Sequence, residues 1–308
     1  VNRRELFERA GIIEPSGPRL HKRTIKAHME FEQAQLNEGF FHSSFWGGSF
    51  PAVEKPCGRL AMYKLMNLPE TDPATPKLAA TSHQGLAAEA FVTKRWAAAG
   101  MSLVHPKLPS DKQLRLKDSS IWLSSAIDDV LDLRPDWDCV TPVDVKSKAD
   151  RIIDEMRHGT TSWQPEHRAQ VVCYTYLCRL HHVAEGWDAL GLRPAEGGFL
   201  YYVSRDNPAH GIELWVEYNE DEVVEAVATL AVWQENFLNE KLPPRDKNWR
   251  WMETPCKWCD FKKVCKDDMR NGVEELKQSR AIELALAADP QYNFDEVKKK
   301  VTKRWEGS

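Results

Sequence analysis

Polar and apolar residues alternate through LRLKDSSIWLSSAIDDVLDL, residues 114–133, and again through TPVDVKSK, residues 141–148. A period of two sorts side chains onto opposite faces of a strand, so both segments read as β-structure with RPDWDC as the turn between them. GGFLYYVSRD and GIELWVEY carry the same signal further on. Helical spacing marks LAATSHQGLAAEAFVTKRWAAA, RAQVVCYTYLCRLHHV and DEVVEAVATLAVWQENFLNE. CGRLAMYKLMNLPE reads as a short helix ended by Pro69. Residues 1–38 read as helical with a break at EPSGP, followed by an aromatic, Gly-rich loop containing Phe40, Phe41, Phe45 and Trp46. TDPATPK and KLPPRDKNW are connectors, and the tail from about residue 272 is helical and charged. The order helix, hairpin, helix, hairpin, helix predicts an α/β core. No internal repeat or low-complexity tract interrupts it.

Composition narrows the class. The 308 residues, with 42% hydrophobic and 29% charged, are those of a soluble globular chain. No apolar run is long enough to span a bilayer, and the charged VNRRELFERAGIIEPSG start is unlike a signal peptide, so the expectation is a cytoplasmic protein with no membrane partner. The net charge of −4 advertises no polyanion partner for the molecule as a whole. Local clusters do more: RLHKRTIKAH, KWCDFKKVCK and EVKKKVTKRW are basic. Each reads either as a solvated helix face or as a footprint for phosphate.

The chemistry concentrates in TPVDVKSK. Asp144 and Lys146 are two residues apart, so they share a strand face while Val143 and Val145 point the other way, into a core. Taken alone this reads first as an ion pair on a solvated face; the alternative is a catalytic acid and lysine on a rigid strand. Two further acids can join it. Asp128 lies in the preceding strand, with Asp129 beside it, and strand register decides which of the two faces inward. Glu89 lies in the helix before, four residues after Gly85. Carboxylates facing one cleft suit a hard divalent cation, Mg²⁺ or Mn²⁺, which can polarise phosphate and activate water. Gln170 and Tyr174, four apart, share one face of the following helix.

In order along the chain, Gly85-x-x-x-Glu89, Ile127-Asp128, Asp144-x-Lys146 and Gln170-x-x-x-Tyr174 resemble the PD-(D/E)XK nuclease superfamily, its RecB-type branch most closely. The resemblance implies a restriction-endonuclease-like core, a central mixed sheet flanked by helices. It implies that Glu89, Asp128, Asp144 and the carbonyl of Val145 bind metal, that Lys146 positions or activates water, and that Gln170 and Tyr174 shape the site and meet DNA. There are departures: Ser125 stands where a glycine is common, and the first motif carries Glu89 rather than histidine, as in phage-type recombination exonucleases.

Seven cysteines without a secretion signal argue against a disulfide framework. Cys139, Cys173 and Cys178 read as small core residues. Cys256, Cys259 and Cys265 form a C-x₂-C-x₅-C pattern whose fourth member would be Cys57. Spacing alone favours zinc. One cysteine before the core and three after it is similar to the iron–sulfur members of the family, the CRISPR-associated exonucleases and AddB-type nuclease domains. That resemblance implies a 4Fe–4S cluster clasping the two ends of the chain.

These readings divide the chain into an N-terminal segment, 1–56, a nuclease domain, 57–270, and a charged helical tail, 271–308. The expected activity is metal-dependent hydrolysis of DNA phosphodiesters, as an exonuclease on single strands or ends, in recombination, replication or repair. The second reading is a DNA-binding or DNA-processing subunit of a larger complex, such as one for CRISPR spacer acquisition. The partners implied are DNA, a homo-oligomer, or recombination and adaptation proteins.

Overall fold

The computed structural model describes residues 57–66, 68, 71, 76–104, 113–244, 256, 259 and 261–306. The expected N-terminal helices, the aromatic loop and the basic RLHKRTIKAH cluster lie outside them. The chain forms two compact units. Within the described residues, the first contains 78–104, 113–117 and 124–223, and the second contains 118–123 and the parts before 78 and after 223.

The first unit is built on a four-stranded sheet. Its strands are β3 (Asp129–Leu133), β4 (Trp137–Lys148), β5 (Gly197–Ser204) and β6 (Gly211–Glu217), in that spatial order. β3 and β4 form an antiparallel hairpin, β4 and β5 are parallel, and β5 and β6 are antiparallel, so the sheet is mixed. A parallel pair needs a crossover, supplied here by α3 (Asp150–Arg157) and α4 (Pro165–Leu180). A two-stranded ribbon, β1 (Leu114–Asp118) and β2 (Leu123–Ile127), precedes the sheet. The expected α/β class with a mixed sheet flanked by helices is what the chain adopts.

Alternation places the core. Val143 and Val145 of β4 pack with Phe199, Tyr201 and Val203 of β5. Ala88, Val92 and Trp96 of the long helix α2 (Pro76–Ala98) cover that face. The opposite face carries Asp144 and Lys146 and is covered by α4. Two glycines set these distances. A Cβ on Gly85 of α2 would lie 3.3 Å from Ser147 Oγ. One on Gly198 would lie 2.6 Å from the Pro142 carbonyl and 2.8 Å from Val171 Cγ1. Both positions mark close approaches of backbone that a side chain would push apart.

The second unit packs α1 (Gly58–Leu65) against the C-terminal part of α5 (Glu220–Leu238) and helices α6 (Lys262–Arg270), α7 (Arg280–Ala288) and α8 (Phe294–Glu306). Met62, Met66, Phe237, Phe261 and Leu276 are fully or almost fully buried there. Polar contacts pin α1 in place. Arg59 donates to the carbonyls of Pro243 at 2.9 Å and Val273 at 3.2 Å. Tyr63 donates to Asp268 at 2.8 Å. Asp268 also accepts from Ser279 Oγ at 2.6 Å and from the Arg280 amide at 2.7 Å. Ser279 in turn caps α7.

The sequence-based expectation of an iron–sulfur clasp is overturned. Among the described residues, no group of three or more His, Cys, Asp or Glu side chains is arranged to hold a metal ion. Cys57, Cys256, Cys259 and Cys265 form no disulfide and border one cavity of about 10 Å³. That is room for about one water, not a cluster. Burial pushes the Cys57 thiol up, and burial likewise raises Cys265, to about 12, so these groups hold their protons. The clasp between α1 and the C-terminal helices is therefore made by Arg59, Tyr63 and apolar packing. Among the described residues no helix is long and apolar enough to cross a membrane.

Candidate active site

β2 and β3 are separated by one residue, Asp128, which sits in a bend rather than on a strand. The bend settles the ambiguity between the neighbouring acids. Asp129, on β3, turns to the interior, where its Oδ1 accepts from Ser102 Oγ at 2.5 Å and from the Val130 amide at 2.8 Å. Asp128 turns to β4, and its Oδ2 accepts from the amide of Val145 at 2.8 Å. Val145 thus meets the bend through its N–H.

Asp144 is 0% exposed, and its Oδ1 accepts from Lys146 Nζ at 2.6 Å. Lys146 keeps 24% of its side chain accessible, so the pair runs from the interior to the surface along one face of β4. Glu89 comes from α2, one helical turn past Gly85. Gln113 ties it to the bend, donating to Glu89 Oε1 at 2.7 Å and to Asp128 Oδ1 at 3.1 Å. From α4, Gln170 donates to the Tyr174 hydroxyl at 2.7 Å. Glu89, Asp128, Asp144, Lys146, Gln170 and Tyr174 therefore come together from α2, the bend, β4 and α4.

Burial dominates the electrostatics. It raises Glu89 well above the usual carboxylate range, and the charges of Asp128 and Asp144 add to it against Lys146. Asp128 is raised by burial, with Lys146, the Val145 amide and Asp144 opposing. Asp144 is pushed up to about 7 by burial and by Asp128, against the pull of Lys146. Burial alone would lower Lys146, but Asp144, Asp128 and Glu89 hold it above its ordinary value as a firm cation. Tyr174 is raised by burial and by Asp128 and Asp144, so it stays a neutral phenol. Acids this close share protons rather than all ionising together.

Among the described residues, no group of three or more His, Cys, Asp or Glu side chains is arranged as the expected Mg²⁺ or Mn²⁺ cage. Oxygens of Glu89, Asp128 and Asp144 accept hydrogen bonds from Gln113, the Val145 amide and Lys146. Asp144 Oδ2 has no hydrogen-bond donor.

Two residues escaped the sequence reading. Gln113 precedes β1 with no motif around it. His167 lies one turn before Gln170 on α4, and its Nδ1 is 2.8 Å from the Tyr202 hydroxyl. The i, i+3 spacing from Gln170 was the available signal for His167.

The acid bend, the strand-borne acid–lysine pair and the covering helix thus lie together on one mixed sheet. A model of the PD-(D/E)XK nuclease superfamily matches residues 62–266. The chain belongs to that superfamily, a class of hydrolases acting on nucleic acids. A search of the curated proteins found no match.

Proposed function

We propose that this protein is a deoxyribonuclease that hydrolyses phosphodiester bonds as an exonuclease, on single strands or at DNA ends. The observation that carries the reading is the Lys146–Asp144 pair, 2.6 Å apart on β4 and continuous with Asp128 in the bend. A nuclease needs a fixed positive charge where negative charge grows on the phosphorus-bound oxygens. Lys146 supplies it: three acids keep it protonated, and a rigid strand fixes its position. Asp144, poised up to about 7, can accept a proton from attacking water near neutral pH. Gln113 orients Glu89 and Asp128, while Gln170 and Tyr174 wall the site from α4.

The test is degradation of end-labelled single-stranded and duplex DNA by wild-type protein and by Lys146→Ala, with Mg²⁺, with Mn²⁺ and with EDTA. Loss of label that disappears in the variant supports the reading, and the label pattern gives polarity. Metal dependence, the finer part of the reading, is what the EDTA arm measures. Absence of cleavage on every substrate contradicts the proposal.

A further inference from the structure

The functional face of β4 does not end at Lys146. Position 148 is the next on that face, one strand repeat further on, at about 6.7 Å per two residues. Asp144 is buried, while Lys146 and Lys148 are both partly exposed. Lys148 Nζ donates to Gln164 Oε1 at 2.9 Å and lies 5.7 Å from the centroid of the Tyr202 ring. Tyr202 is the register partner of Lys146 on β5. Its hydroxyl accepts from the Gln164 amide at 3.3 Å and meets His167 Nδ1 at 2.8 Å. Lys148 and the His167 imidazole thus flank one phenol, at the C-terminal ends of the two parallel strands. That end of an α/β sheet is where ligands bind.

We propose that Lys148 and His167 form a second phosphate site, which holds the phosphodiester next to the one presented to Asp144 and Lys146. The proposal rests on the nuclease reading above and goes beyond it by naming where the rest of the strand lies. The repeat of alternate residues along β4 matches the repeat of successive phosphates along an extended strand. The contact with Gln164 orients the Lys148 ammonium. The Tyr202 contact holds the imidazole by Nδ1, so Nε2 is its other polar atom for a ligand. His167 is kept neutral, lowered to about 3 by burial and by the charges of Lys146 and Lys148. A neutral imidazole beside two cations can donate a hydrogen bond to phosphate without adding to their repulsion.

The test is fluorescence anisotropy with a labelled single-stranded oligodeoxynucleotide in EDTA, over a range of salt concentrations, beside cleavage kinetics. Lys148→Gln should weaken binding about tenfold, the size of one charge-assisted contact. It should also make the slope of log K against log salt shallower by about 0.7, one phosphate contact on a single strand. Lys148→Arg should restore both. His167→Phe should weaken binding without changing the slope. Gln164→Ala, which removes only the partner of Lys148, should leave the slope as in wild type. In cleavage, Lys148→Gln should raise KM by more than it lowers kcat. An unchanged affinity and slope in Lys148→Gln overturns the proposal, as does an equal slope change from Gln164→Ala, which marks a structural role. Wild-type cleavage with a silent Lys148→Gln sinks the second phosphate site alone. Wild-type protein that neither binds nor cuts DNA sinks it together with the nuclease reading.

Discussion

Lys146 Nζ sits 2.6 Å from Asp144 Oδ1, the two side chains neighbours on one face of β4 with the valines between and before them turned into the core. The pair is a property of strand geometry: residues two apart must share a face, and β4 is held on both sides by neighbouring strands. Removing either partner leaves a buried charge, or a buried acid, without its complement. In a double-mutant cycle of Asp144→Asn and Lys146→Met, the two changes should couple by about 1–3 kcal/mol in urea unfolding. Independent, additive effects would show that the pair is not a unit.

Asp129 gives a pH signature separate from the reaction. Burial pushes it up to about 8 in the folded protein, against an ordinary value of 3.8, with the Ser102 and Val130 bonds opposing. A raised carboxyl pKa means the fold prefers the protonated form. The stability this brings is complete below the unfolded value and is lost as pH rises from about 4 to about 8, by at most about 1.4 kcal/mol per pH unit. Unfolding measured from pH 4 to 9 should show that decline in wild type and a flatter profile in Asp129→Asn. Identical profiles would contradict the buried, protonated acid.

Gly198 tests the packing that places α4 over the site. Gly198→Ala puts a methyl 2.6 Å from the Pro142 carbonyl and 2.8 Å from Val171 Cγ1. The first contact is with backbone and cannot swing aside. The substitution should destabilise by about 1–3 kcal/mol in urea unfolding. A neutral effect would mean that α4 sits further from the sheet than described.

In the second unit, Asp268 accepts from Tyr63, Ser279 and the Arg280 amide. Tyr63→Phe removes one donor of three and should cost about 1 kcal/mol. Ser279→Ala removes a donor and the cap of α7 together and should cost more, about 2 kcal/mol. The reverse order in thermal unfolding would contradict this account of the α1 clasp.

Much of the fold was legible because its signals are local. Alternation at 141–148, the β5 and β6 segments and the long helices α2 and α4 follow from side-chain period alone. Helix α3 went unread, although Ile153 and Met156 on its buried face, Asp150 in its first turn and Arg157 in its last were available as signals. The four-motif spacing singled out six residues that the fold places around one end of β4. It could not show that Asp128 sits in a bend, because that depends on how β2 leaves one sheet and β3 enters another. Gln113 was invisible because only the fold brings it to Glu89. The cysteine spacing misled because it constrains ligand number, not the room around the ligands. The cavity the four thiols border holds about one water, and α1 is secured by Arg59 and Tyr63.

The central claim is that the acid–lysine strand cuts DNA. The most direct measurement is the rate at which end-labelled single-stranded DNA is degraded by wild-type protein and by Lys146→Ala, at equal folded concentration, in divalent cation and in EDTA. The account predicts degradation by wild type and a loss of at least about a hundredfold in the variant, the scale of one preorganised charge at a transition state. Equal rates for the two proteins, or no degradation by wild type of single strands, duplexes or ends, would contradict it.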